Sequence, residues 1–467
     1  MRCGFAVDIG TTNIEVSLWN LDSSDANAGC RLSTFKNNHL MESSCDDSVT
    51  SETSRAFRAV PLLTKTFRNC LYLYGADVVS RILYAHYNSV EILQQKLISQ
   101  LKQEFDAMIR ESKAVKCGDS SYVADRAVFT GNTVMLHFLR GLSVAGFEKA
   151  PFTPVSLFGE VVPAASALAS LAKEVILPPC ISAFLGADIV CASLALESGT
   201  GCVGGAMPAT RNAGEAFFLA SDASCATSAA TADASQETRV AEKPYIIIDI
   251  GTNTEIMLVD SDGKRTACSA AAGPAFEGGG LSVDMKGSAL VSELARMLDE
   301  NIMDETGYLG VDDAPSADNA SGELSCNQCA TAEFTSKENK RRSILTQQDV
   351  RQLQLAKGAT AAAVETLLQS VGLEAADIKK CFICGNFGNA LDISAVKKTG
   401  LLPAKLADCA VYVGNAALRG AELILLSKTA ALHEALEIAQ ETAVLQLADS
   451  AVFAEKYIQN MNFRAKE

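Results

Sequence analysis

Positive charge is in short supply along this chain, with 40 Lys and Arg against 55 Asp and Glu and a net charge of −15. A protein that grips a polyanionic backbone needs the opposite balance, which argues against nucleic acid as the main partner. Apolar runs of membrane length are missing as well. The longest near mid-chain, Ile181 to Leu196, carries Asp188 and is shorter than a membrane span, so it reads as a buried helix. No secretory leader is recognisable, because Met1-Arg2-Cys3-Gly4 runs straight into an apolar strand that stops at Asp8. The 15 cysteines are therefore expected as reduced thiols of a cytoplasmic protein, not as a disulfide framework. What is present is a globular composition, 48% hydrophobic over 467 residues, enough for two or three domains with substantial cores.

One phrase is written twice. Asp8-Ile9-Gly10-Thr11-Thr12-Asn13-Ile14-Glu15 follows Phe5-Ala6-Val7, and Asp249-Ile250-Gly251-Thr252-Asn253-Thr254-Glu255 follows Ile246-Ile247-Ile248. Each copy reads as an apolar strand, an Asp at its end, a tight Gly-Thr turn and a second apolar strand. Such a hairpin offers backbone N–H and hydroxyl donors to phosphate oxygens and places its carboxylate for a hydrated Mg²⁺. Glycine lets the backbone approach the ligand with no side chain in the way. Two copies facing each other would clamp one nucleoside triphosphate, so ATP and Mg²⁺ are the expected ligands.

The spacing of the copies predicts two comparable α/β lobes around a cleft, each with a mixed sheet of about five strands. Lobe I is expected over 1–198 and lobe II over 243–425, with a helical segment over 426–467 returning to lobe I. Three polar or small-residue stretches read as insertions or linkers, at about 38–67, 199–242 and 312–342. Between them, Val78 to Leu101 has helical periodicity, Arg126 to Thr130 reads as a strand, and Leu290 to Asn301 and Thr346 to Ser370 read as helices. Thr346 is placed to cap the last of these, with Asp349 three residues on. Lys380 to Ile383 reads as a strand stopped at Gly385.

The hairpins resemble those of the ASKHA superfamily of acetate and sugar kinases, heat-shock ATPases and actin. Gly131-Asn132-Thr133-Val134-Met135-Leu136-His137, Ala150-Pro151-Phe152-Thr153-Pro154 and Ile181 to Ile189 narrow the likeness. So do Ser269 to Gly278, Leu345 to Arg351, Leu353 to Gly358, Gly388 to Asp392 and Gly414 to Ala417. In that order they are similar to the ASKHA region of reductive activators of corrinoid proteins. The resemblance implies ATP-dependent return of an inactive Co(II) corrinoid protein of a methyltransferase system to Co(I). It also implies a two-lobed, ribonuclease H-like fold. A small-molecule kinase, or a nucleotide-switched binding subunit without catalysis, are the rival expectations.

Two departures qualify the likeness. Family members usually carry an amino-terminal [2Fe–2S] domain, yet the plant-type C-x₄-C-x₂-C spacing is absent here and Cys3 is the only cysteine before Cys30. No iron–sulfur cluster is expected in this chain, and a separate ferredoxin-like protein is expected as electron donor. A corrinoid protein is the other expected partner, with no membrane involvement and a homodimer as one assembly in view. Second, Leu281 to Lys286 passes almost directly to Gly287, where the family usually has a longer stretch.

The expected catalytic residues are Asp8, Asp249 and Glu277, with Asp8 and Asp249 orienting metal-bound waters. Gly10, Thr11, Thr12, Asn13, Gly251, Thr252 and Asn253 are expected on the phosphates; the plain alternative is a pair of ordinary tight hairpins. The resemblance puts Gly385, Phe387 and Gly388 in an adenosine loop, and gives Gly273, Gly414 and Asn415 further cleft contacts; structural turns are the alternative for each. Glu277 is expected to act on the attacking water or the substrate side, with a surface carboxylate as the alternative. Cys326/Cys329 and Cys381/Cys384 are both C-x₂-C pairs, but positions i and i+3 of a strand point to opposite faces, which favours free thiols over a shared metal. His137 falls within a helical pattern and is read as packed in or near the core, in preference to contact with a corrinoid.

Overall fold

The computed structural model describes residues 2–22, 60–112, 123–163, 165–198, 242–309, 331–335, 342–385 and 392–463, with 331–335 and 342–344 as backbone only. Its strands are β1 (Cys3–Ile9), β2 (Asn13–Asn20), β3 (Leu63–Arg68), β4 (Ala124–Gly131), β5 (Phe158–Val162), β6 (Ala172–Pro179) and β7 (Tyr245–Ile250). They continue with β8 (Thr254–Val259), β9 (Arg265–Ala270), β10 (Thr331–Thr335), β11 (Arg342–Thr346), β12 (Lys380–Cys384), β13 (Ala410–Gly414) and β14 (Thr442–Val444). The α-helices are α1 (Val78–Tyr87), α2 (Val90–Glu111), α3 (Thr133–Arg140), α4 (Ala187–Glu197), α5 (Ser288–Asp299) and α6 (Gln347–Ser370). After them come α7 (Ile393–Thr399), α8 (Ala404–Asp408), α9 (Ala416–Ser427), α10 (Thr429–Glu441) and α11 (Ala451–Gln459).

The repeat seen in sequence is a repeat of architecture. One sheet has the order β3-β2-β1-β4-β6-β5, the other β13-β12-β7-β8-β9-β14. In each, the hairpin strand pairs antiparallel with its successor, that strand pairs antiparallel with the next, and a parallel pair extends the opposite side. Six strands replace the expected five because each sheet gains an edge strand outside the shared plan: β5 in the first and β14 in the second. Together these sheets and their helices form the mixed α/β, ASKHA-type fold.

Strand β1 is buried on both faces, which is why it reads as one apolar run. Phe5, Val7 and Ile9 enter the core of the first lobe, while Ala6 faces a middle layer. Strand β7 repeats this, with Ile246, Ile248 and Ile250 in the second core and Tyr245 and Ile247 in the middle layer. That layer holds α4 and α9, packed between the sheets. Helix α4 is apolar all round because both sides are covered. At the crossing, a Cβ on Gly420 would stand 2.0 Å from the Cys191 carbonyl oxygen, so the two backbones touch and only glycine fits.

Several expectations change in detail. The helical stretch from Val78 is two helices, because Asn88 ends α1 and Ser89 caps α2 through its side chain. The stretch assigned to an insertion up to residue 67 includes β3, which completes the first sheet. Residues 331–335 and 342–346 form a separate two-stranded ribbon. The carboxy-terminal segment does not rest on the first lobe alone. Helix α10 packs on α4 and β6, but β14 then joins β9 and α11 packs on α6, both in the second lobe. A buried lysine fixes that return: Lys357 Nζ donates to the carbonyls of Asn460 at 2.7 Å and Asn462 at 2.6 Å.

Candidate functional site

Asp8 and Asp249 are the penultimate residues of β1 and β7, each just before the isoleucine that closes its strand. Register then fixes a second carboxylate beside each: Asp8 lies opposite Glu15 on β2, and Asp249 opposite Glu255 on β8. The two hairpin turns open into one cleft between the lobes. Asp8, Gly10, Thr11, Asn13, Asp249, Gly251, Thr252, Asn253, Glu277, Gly385 and Asn415 all line it.

Glu277 joins the two turns. Its Oε2 accepts from Thr12 Oγ1 at 2.9 Å, and the same oxygen accepts from Thr252 Oγ1. The duplicated hydroxyls thus converge on one anionic oxygen, which is what they would offer a phosphate. Asn415, the side-chain cap of α9, bridges in the same way on the other wall. Its Nδ2 donates to Asp8 Oδ2 at 2.7 Å and Glu15 Oε2 at 2.9 Å, while Oδ1 receives the Leu418 N–H. Gly273 and Gly414 stand outside the lining. Gly273 instead donates its N–H to the Thr252 carbonyl at 2.8 Å and so sets the second turn from behind. Gly385 has φ +94°, and a Cβ there would come within 2.5 Å of Asp249 Oδ1, so glycine permits β12 to end against the carboxylate. Phe387 and Gly388 lie outside the described residues, as do Cys326 and Cys329.

The sequence reading missed Asp188, Glu255 and Asn132 as cleft residues. Asp188 sits in the first turn of α4 with its Oδ1 on the Ile189 N–H at 2.8 Å. Its signal, Gly186-Ala187-Asp188, looks the same as Gly75-Ala76-Asp77, which only caps α1. Glu255 was visible in the repeated phrase, but its position opposite Asp249 emerges only from register.

Crowding and burial disturb these carboxyls. Burial pushes Asp8 well above the ordinary range, and Asp249, Asp188 and Glu15 add to it, against the pull of Asn415. Asp249 is pushed up to about 7, by burial first and then by Asp188 and Glu277. Burial takes Asp188 to about 6 and raises Glu255 well above its usual value, with Asp188 and Asp249 contributing to the latter. Such a cleft repels a bare polyphosphate and favours a divalent cation that satisfies the carboxylates. Among the described residues no three or more His, Cys, Asp or Glu are grouped to hold a metal directly. Asp8 and Asp249, both lining the cleft, are hard oxygen donors of the kind a cation such as Mg²⁺ takes while keeping several of its waters.

Cys381 packs in the core of the second lobe and Cys384 in the middle layer, on opposite faces of β12. Burial raises both thiols well above their ordinary value, which leaves them poor nucleophiles and poor ligands. His137 is buried, with Nδ1 at 2.7 Å from the Thr133 carbonyl and Nε2 accepting the Ser156 N–H at 3.3 Å.

Two sheets of one plan, each delivering a carboxylate and a Gly-Thr turn to a shared cleft, define an ASKHA protein. The model for the C-terminal domain of RACo, the ASKHA domain, matches residues 243–286 and 283–467, and that for the RACo middle region matches 59–198. Between them they span most of the chain, and it belongs to this family. The C-terminal match breaks at 283–286, where the chain runs directly from Leu281 toward Gly287. The corrinoid activation enzyme RamQ of Eubacterium limosum is 26% identical over 98% of this chain and 70% of its own length. The Co(II) methylated amine-specific corrinoid protein reductase of Methanosarcina barkeri is 26% identical over 47% of this chain and 46% of its own. A solved reductive activator for corrinoid, iron–sulfur protein shares the fold, with TM-score 0.70 and 23% identity over 100% of this chain and 67% of that one.

Proposed function

We propose that this chain is an enzyme, the ATPase module that reductively activates a corrinoid protein of a methyltransferase system. The observation that carries the reading is the pair of duplicated turns meeting in one cleft, in a chain of the RACo family. ATP is the ligand: its β- and γ-phosphates take the amides and hydroxyls of Gly10–Asn13 and Gly251–Asn253. Asp8 and Asp249 would hold Mg²⁺ through its waters, and the ion would neutralise phosphate charge inside a ring of carboxylates. Glu277 leaves the two threonine hydroxyls and turns to the attacking water. Phosphoryl transfer asks mainly for positioning and charge neutralisation, which these groups supply.

One electron passes from the donor to cobalt, taking Co(II) to Co(I), while ATP and water become ADP and phosphate. Each 59 mV of uphill potential is a factor of about ten in that equilibrium, and nucleotide binding or hydrolysis offsets the deficit. The donor is a separate ferredoxin-like protein, and the setting is the cytoplasm. Assembly as a homodimer belongs to the same proposal and is read from the mass in solution. The test is to combine the chain, ATP–Mg²⁺, a reductant with an iron–sulfur donor, and a Co(II) corrinoid protein. An ATP-dependent rise of Co(I) absorbance is expected; its absence with every donor and corrinoid partner tried rules the reading out.

A further inference from the structure

The two turns are not held in the same way. Gly251–Asn253 closes on itself, with the Gly251 N–H donating to the Asn253 carbonyl at 3.0 Å. Gly10–Asn13 is one residue longer and, among the described residues, has no such internal bond. Its carbonyls are gripped from behind instead. Asn69 Nδ2 donates to Gly10 O at 2.8 Å, Arg81 Nη2 to Thr11 O at 2.7 Å, and the Asn69 N–H to Thr12 O at 2.9 Å.

A trans peptide carries its C=O and the next N–H on opposite sides. Fixing the Gly10 and Thr11 carbonyls against the lobe therefore turns the amides of Thr11 and Thr12 away from it, toward the cleft. Neither amide has a hydrogen-bond partner among the described residues. Two unsatisfied donors on a turn that opens into a cleft point to an anion.

Arg81 adds charge to that geometry. It is 0% exposed, and its remaining donors reach the Gly75 carbonyl at 3.0 Å and Met135 Sδ at 3.4 Å. Among the described residues no carboxylate lies within ion-pair distance of it. A buried cation held only by carbonyls and a thioether is costly unless its counter-charge arrives from elsewhere. Burial lowers it to about 10, with Asp77, Cys70 and Glu277 opposing, so it stays charged at neutral pH.

We propose that Arg81, backed by Asn69, is a positioning residue for the triphosphate: it aims the Thr11 and Thr12 amides and sets a positive field behind them. The inference rests on the ATP reading above. Its rival is a purely structural role, in which Arg81 only ties α1 to the first hairpin.

Titration calorimetry of the full chain with ATP–Mg²⁺ and with AMP separates the two. Arg81→Met keeps the packing but loses the charge and both carbonyl bonds. It is expected to weaken ATP–Mg²⁺ binding about tenfold, in keeping with a lost charge-assisted contact, while AMP affinity moves less than about twofold. Arg81→Lys, which keeps the charge, falls between wild type and Arg81→Met, and it carries the test should circular dichroism show Arg81→Met unfolded. Equal losses for ATP and AMP, or unchanged ATP affinity in both variants, overturn the proposal. Wild-type protein that binds no ATP–Mg²⁺ sinks the nucleotide reading itself; wild type that binds, with variants that bind alike, sinks only the role of Arg81.

Discussion

Glu277 holds one carboxylate oxygen between Thr12 and Thr252, donors from the two halves of the repeat. If it serves the attacking water, Glu277→Gln should lower ATP turnover by roughly 10²–10⁴-fold, the range of a lost general base. Removing its charge beside the phosphates should leave ATP affinity equal or higher; parallel loss of affinity and turnover in a steady-state assay contradicts this. Glu422 on α9 gives a separate prediction for stability. Burial first of all pushes it up to about 7, against the opposing pull of Ser17, Arg419 and Trp19. An unfolded Glu ionises near pH 4.3, so between about pH 4 and 7 the folded state holds the extra proton and stability falls as pH rises. Glu422→Gln should therefore raise the melting temperature at pH 8 by on the order of 2–4 °C and flatten its pH dependence. Asp8 and Asp249 were legible in the sequence because a phrase written twice is hard to produce by chance packing. Arg81 was not, because its bond to Thr11 joins positions that no local pattern links.

Elements were read best where a local rule acts alone. Thr346 and Asp349 form a reciprocal capping box at the start of α6, as their spacing implies. Asp349 also accepts from the Ser282 N–H at 2.9 Å and from its hydroxyl, so the short loop after Gly280 is tied to the same cap. Thr346→Ala should cost about 1 kcal/mol in a denaturant titration. The break between α1 and α2 escaped notice because apolar periodicity runs through Asn88 and Ser89 with only a small phase change. The crossing of α4 and α9 was also hidden: Gly420 looks like any helix glycine until Cys191 is brought against it. Gly420→Ala should destabilise by about 1–3 kcal/mol through overpacking, although alanine is the better helix former. A stabilised variant would show that the two backbones do not meet there.

At the scale of the molecule, two sheets of one design pack across α4 and α9, and both carry their Gly-Thr turns to the same cleft. No helix among the described residues is long and apolar enough to cross a membrane. Architecture was legible because a duplicated hairpin implies a duplicated lobe, whereas the edge strands β5 and β14 come from irregular stretches without a sequence signature. Of the cleft's extra carboxylates, Glu255 is placed by the β7–β8 register, whereas Asp188 became visible only when the lobes were brought together. The central claim is that both turns serve a single nucleotide. Equilibrium titration of ATP–Mg²⁺ into wild type, Thr12→Val and Thr252→Val tests it most directly, since each change removes one hydroxyl at nearly constant volume. The account predicts one ATP per wild-type chain and weaker binding at that same site in each variant. Two sites per chain, or one variant binding as wild type does, would contradict it.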